Sequence, residues 1–149
     1  MDVHVIQDQT FLPISVESVV TLVNDFIAFW KLKYDEVSIS FVDTPTISKL
    51  HADFFDDPTT TDCISFPMDP PDGTGYLVMG DLFVCPETAH SYVASHGGNV
   101  YKEVTLYVTH GLLHLIGYDD IEEEDIKEIR DAESRYLAHV AENDLWLNA

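Results

Sequence analysis

Residues Thr109–Asp120 read THGLLHLIGYDD, and they carry two histidines four residues apart inside an apolar helical run, Val100 to Ile116. At that spacing His110 and His114 leave one face of the same helix about one turn apart. Two imidazoles presented in this way can share one metal ion. Gly117, three residues after the second histidine, predicts the helix end, because glycine accepts the left-handed conformation found there without steric cost. The chain can then turn back, and Asp119 and Asp120 are the side chains able to re-enter the space that the histidines face. The stretch therefore reads as an open site with three protein ligands, His110, His114 and Asp120, and zinc as the first choice of metal. Two histidines with one carboxylate also suit iron(II) or manganese(II). A helical histidine pair with no third feature is more often surface or core; the glycine stop and the carboxylate beyond it set this pair apart.

The rest of the composition frames that site. At 149 residues the chain suits one domain over 1–149, able to bury about 70% of its unfolded surface. No apolar run approaches the ~20 residues needed to span a bilayer. The start, MDVHVIQDQ, lacks the regions of a signal peptide, so a soluble cytoplasmic protein without a membrane partner is expected. Cys63 and Cys85 lie in apolar strand-like runs without CxxC spacing and read as buried free thiols. Seven Lys and Arg against 27 Asp and Glu give a net charge of −20, a field that repels phosphate backbones and attracts cations or basic protein surfaces. The positive residues are scattered, which counts against a stand-alone nucleic-acid binder and leaves no role for DNA. Solubility is the simpler reading of the same charge.

Periodicity supplies the remaining elements. A short strand covers His4 to Gln7, and a helix capped by Ser15 carries the stripe Val16, Val19, Val20, Val23, Phe26, Ile27 and Trp30. Val37, Ile39 and Phe41 alternate within Glu36 to Asp43, predicting a strand with one wet face. Thr44 and Pro45 start a short helix whose buried side is Ile47, Leu50 and Phe54. A loop over 56–62 precedes a strand from Cys63 to Met68, a turn-rich DPPDGTG segment, and a return strand from Leu77 to Val84. Gly80 inside that strand predicts a bulge or a close backbone approach beside the site. Pro86 and Glu87 open a helix ending near Gly97, Asn99 caps the histidine helix, and a last helix runs from about Ile121 to Ala141. Its inward positions are Ile126, Ile129, Ala132, Tyr136, Leu137 and Val140, and its acidic front, Glu122 to Asp125, suits the positive end of the helix dipole.

Three blocks carry a family resemblance. HGLLHLIGYDD at 110–120 is similar to HGxLHLxGYDH, the signature of the YbeY family of single-domain, zinc-dependent endoribonucleases, and matches every specified position except the last. TDCISFP at 61–67 resembles that family's TDVLSFP segment, and MGDLFVCP at 79–86 its LGDIxIxx strand, in the same order along the chain. The resemblance implies an α+β fold, a four-stranded mixed sheet with helices packed on it. It also implies hydrolysis of single-stranded ribosomal RNA precursors in rRNA maturation and ribosome quality control, with the small ribosomal subunit as partner. The resemblance further implies that Ser65 lies near the site, which makes it with Asp62 a candidate catalytic residue; on its own Ser65 reads as a half-buried strand residue.

Two positions depart from the pattern. Asp120 stands where the family has its third histidine; a carboxylate remains a zinc ligand but lowers the Lewis acidity of the ion. Aligning LHADFFDD with the segment that holds a phosphate-binding arginine in the family puts Phe55 in its place. Gly111 occupies the position where HExxH proteases carry their glutamate, which argues against peptide hydrolysis. Asp62 and Asp81 are candidates to hold ligands or water from behind, or else cap a turn or end a strand. His51, His90 and His96 have no motif around them and read as surface residues. The second functional class is a ribosome-associated protein that keeps the metal as a folding staple with reduced or no catalysis, and an unrelated small-molecule metallohydrolase is a third. In either ribosomal reading, an acidic protein meets RNA through a basic ribosomal protein that recruits it.

Overall fold

A computed structural model of the chain describes residues 1–57 and 61–149. Among them the elements follow the order β1 (Asp2–Asp8), α1 (Val16–Phe29), β2 (Glu36–Val42), α2 (Thr44–Phe55), β3 (Cys63–Pro67), β4 (Val78–Val84), α3 (Pro86–His96), α4 (Val100–Leu115) and α5 (Glu123–Asn143). The strands make one four-stranded mixed sheet in the order β1-β2-β4-β3, with β1 and β4 parallel to β2 and β3 antiparallel to β4. The expected α+β architecture is the observed one, and β3 forms a sheet edge. Pro58, Thr59 and Thr60 of the expected 56–62 loop lie outside the described residues.

Strand alternation assigns the helices to faces. Leu22 and Phe26 of α1, Ile39 and Phe41 of β2, Leu82 and Val84 of β4, Leu112 of α4 and Tyr136 of α5 meet in the main core. Each large side chain buried there contributes roughly 1.5–3 kcal/mol relative to exposure. Val42, Ile47, Ile64 and Cys85 form a smaller cluster with Leu50, Phe66 and Phe83 on the other face, under α2. This second cover corrects the expectation of a wet face on β2, whose last residues are buried on both sides.

Helix boundaries follow the capping chemistry. The Ser15 hydroxyl accepts from Ser18 N–H at 3.2 Å, and the Asn99 side chain accepts from Tyr101 N–H at 2.8 Å and Lys102 N–H at 3.3 Å. At α2 the cap is Asp43, whose carboxylate accepts from Thr46 N–H at 2.9 Å. Three stripe positions differ from expectation. Val16, Phe54 and Ile126, each in the first or last turn of its helix, are exposed, and Leu22 is buried among the α1 residues in the stripe's middle.

Helix α4 reaches the sheet at two glycines. A Cβ on Gly111 would stand 2.2 Å from Leu82 Cδ1, and a Cβ on Gly80 would stand 2.3 Å from Phe66 O and 3.0 Å from Leu115 Cδ2. Gly80 has φ of +142° and falls where the β2–β4 register slips, so the bulge and the close approach expected there are both present. The Ser65 hydroxyl donates to the Gly111 carbonyl at 3.0 Å and ties β3 to the same turn of α4. Among the described residues no helix is long and apolar enough to cross a membrane.

A glycine-to-alanine change in an exposed helix gains about 1 kcal/mol. For Gly111→Ala the contact with Leu82 reverses the sign, with an expected loss of about 1–3 kcal/mol in urea unfolding. In a Leu82→Ala background the same step should cost nothing, and an equal loss in both backgrounds would show that the contact is not the cause.

Candidate metal centre

The last two turns of α4 set the donors. His110 and His114 stand with ring centroids 4.5 Å apart and Nε2 atoms 2.9 Å apart. Gly117, with φ of +109°, turns the chain so that Asp120 Oδ2 comes within 3.6 Å of His110 Nε2 and 3.4 Å of His114 Nε2. Ligand atoms around a tetrahedral ion with bonds of about 2.0–2.2 Å stand about 3.3–3.6 Å apart. Both aspartate separations match, and the histidine pair is a few tenths of an ångström tighter.

The other nitrogen of each ring is already engaged. His114 Nδ1 donates to the Tyr118 carbonyl at 2.9 Å, and because a carbonyl only accepts, the proton is on Nδ1 and the lone pair on Nε2. His110 Nδ1 donates to Glu133 Oε2 at 2.5 Å, and Glu133 Oε1 accepts from Arg130 at 2.9 Å. Two lone pairs and a carboxylate oxygen thus converge on one point and repel each other until a cation or a proton lies between them. The donor set fits a divalent metal on that ground, with carboxylate and carbonyl partners behind both imidazoles as metal-binding histidines generally have.

Electrostatics agree with the geometry. Burial disfavours a charged His110, but the Glu133 hydrogen bond and charge, with Asp62 and Asp120, outweigh it and hold the imidazole above the ordinary histidine range. Burial likewise opposes the Glu133 carboxylate, yet His110 and Arg130 keep it below the usual glutamate range. The Cys63 thiol is pushed well up, first by burial and then by Asp62, Asp120 and Glu133. Both cysteines are free, as expected, with Cys85 buried and Cys63 only partly so.

Two cavities flank the donors. One of about 460 Å³ runs along the β3 edge between the Gly117–Asp120 turn and the α2 residues His51 and Phe55. The other, of about 370 Å³, lies between α3, α4 and α5 and is lined by Tyr92, Tyr107, Arg130 and Glu133. Asp62, His110 and Asp120 line both. Asp62 Oδ1 accepts from Cys63 N–H at 2.7 Å, which holds its carboxylate between the cavities. Ser65 lines the first cavity, with its hydroxyl spent on Gly111. Asp81 is exposed and lines neither, since it follows Gly80 on the strand face opposite Leu82. His90 and His96 are exposed, with rings against Phe11 and Tyr92, while His51 departs from expectation by standing at the cavity rim. Sequence reasoning missed Glu133, and a signal existed: it sits inside the α5 stripe, four residues after Ile129 and three before Tyr136, and is 4% exposed.

Comparison with known proteins agrees with the fold. The family model described as Endoribonuclease YbeY matches residues 4–141. Endoribonuclease YbeY of Protochlamydia amoebophila (strain UWE25) is 46% identical over 140 residues, which cover 94% of this chain and 93% of that protein. The protein of the same name from Chlamydia abortus is 33% identical over 152 residues, covering 99% and 96%. The solution structure of TM1509 from Thermotoga maritima shares the fold with a TM-score of 0.64 at 23% identity, covering 93% of this chain and 88% of that one. With the family's model matching residues 4–141 and relatives of 46% and 33% identity covered over nine tenths of their length, this chain belongs to the Endoribonuclease YbeY family.

Proposed function

We propose that the chain is a metal-dependent endoribonuclease acting on single-stranded ribosomal RNA precursors, with His110, His114 and Asp120 as the metal ligands. The convergence of two Nε2 lone pairs and Asp120 Oδ2 carries this reading, and the endoribonuclease name of its relatives supports it. Zinc is the preferred ion, and iron(II) or manganese(II) suits the same donors. A divalent ion there supplies Lewis acidity toward a phosphoryl oxygen and makes water a better nucleophile near neutral pH. Glu133 and the Tyr118 carbonyl hold the two Nδ1 protons, which keeps both Nε2 atoms available and both rings fixed. Asp62, with one oxygen tied to Cys63 N–H, is the carboxylate placed to take a proton at the other. Ser65 acts through position, by anchoring the Gly111 turn. The reading places the protein in the cytoplasm at the small ribosomal subunit, where a basic ribosomal protein offsets its charge of −20.

Metal-reconstituted protein is expected to cleave single-stranded RNA, with His114→Ala reducing the rate by about 100-fold or more, beyond the 10–100-fold cost typical of losing an outer partner. Cleavage that survives the substitution points to a contaminating nuclease. Elemental analysis should find a divalent ion in the wild type and little in Asp120→Ala; equal loading would remove Asp120 from the ligand set. Glu133→Gln should weaken metal affinity by roughly 10–100-fold in a chelator competition, with circular dichroism unchanged. Affinity at the wild-type level would leave Glu133 as a fold residue only. Pull-down from ribosomal particles is expected to recover a basic ribosomal protein even after ribonuclease treatment, and recovery of bare RNA alone counts against that partner.

A further inference from the structure

The end of α2 presents two phenylalanines to solvent beside the metal centre. Phe54 is 63% and Phe55 53% exposed, at the last turn before Asp56 closes the helix in a left-handed conformation. Their rings are backed: Phe55 stacks on Phe66 at 6.5 Å with 29° between planes, Phe54 meets Phe66 edge-on at 5.0 Å, and Phe66 leans on Phe83 at 5.9 Å. Anchoring through β3 and β4 holds the exposed faces in place, so little freedom is lost when something flat settles on them. Phe55 lines the same cavity as His110, His114 and Asp120.

The charge of that cavity narrows the occupant. Its described lining holds no lysine or arginine and carries Asp62, Asp119 and Asp120. Apart from the metal ion at the reacting phosphate, no cationic side chain of that lining can grip the phosphates of an entering strand, and the chain's net charge of −20 adds long-range repulsion. Base contact is the other means of holding single-stranded nucleic acid, and stacking on an aromatic ring is worth about 1–3 kcal/mol per base, tolerates any base and neutralises no phosphate.

We propose that Phe55, flanked by Phe54 and supported by Phe66, is a stacking platform for an unpaired nucleobase next to the bond that is cut, and that this contact carries the affinity that phosphate contacts usually supply. The inference rests on the ribonuclease reading above and names how its substrate is held.

The test uses the metal-loaded full chain with single-stranded oligoribonucleotides. Phe55→Ala should raise KM about 5- to 150-fold, the equivalent of 1–3 kcal/mol, with kcat little changed, and Phe55→Trp should restore it. Raising salt from about 50 to 200 mM should leave the wild-type KM level or lower it as the repulsion is screened, where proteins that grip about 6–10 phosphates lose about 10³ or more, and a steep rise in KM overturns the proposal. One abasic nucleotide scanned along the RNA should raise the wild-type KM at a single position and leave Phe55→Ala indifferent there. If the wild type cleaves and Phe55→Ala has the same KM, the platform is wrong and the nuclease reading stands. If the wild type cleaves nothing, quenching of 2-aminopurine in the same oligoribonucleotides decides: quenching by the wild type and not by Phe55→Ala supports the platform alone. Equal quenching by both overturns it. A change in the sedimentation of Phe55→Ala in place of a change in RNA binding overturns it too, and makes the patch a contact between copies of the chain.

Discussion

Helix α4 lies on the sheet at a distance that only a residue without a side chain allows. Gly111 lets its main chain rest on Leu82, Gly80 clears room for Leu115, and Ser65 bonds the Gly111 carbonyl from β3. Contacts at three points around one helical end fix both its height and its rotation about its own axis. The directions of His110 and His114 follow from that rotation, as does the place where Gly117 releases the chain. A donor triangle with separations of 2.9–3.6 Å is thus a consequence of how a helix packs on a bulged strand.

The site is acidic beyond the needs of its ligands. Glu133 lies behind His110, Asp62 and Asp119 line the cavity, and the one guanidinium at the centre, on Arg130, is spent on Glu133. Such a field raises the affinity for a cation and the proton affinity of His110 together, so metal and proton compete for the same lone pairs. It also separates two tasks that a basic nuclease surface would combine, leaving the attraction of RNA to groups other than lysine and arginine. The exposed ring of Phe55 stands at the position that the family resemblance assigns to an arginine, so an aromatic face replaces a cation there.

Much of the fold was legible because its signals are local. The α4 boundaries, the Ser15 and Asn99 caps, the Gly80 bulge and the Gly117 stop follow from backbone conformations that few residues supply, and they appear where the residues put them. The errors have one physical origin. Val16, Phe54 and Ile126 satisfy helical periodicity, but each sits in the first or last turn of its helix and is exposed, and periodicity does not say which turns a neighbouring element covers. The wet face expected on β2 disappears for a similar reason, since α2 crosses over Val42.

Sequence alone determined that two histidines share a helical face, that a glycine ends that helix, and that an aspartate waits beyond the turn, because spacing of 3.6 residues per turn and the left-handed conformation are properties of the chain itself. Tertiary structure decided which aspartate turns inward, which carboxylate 23 residues away orients His110, that Asp81 faces away, and that His51 and Phe55 border the cavity. Those outcomes depend on the relative height and rotation of elements distant in sequence, which close packing sets and no local pattern encodes.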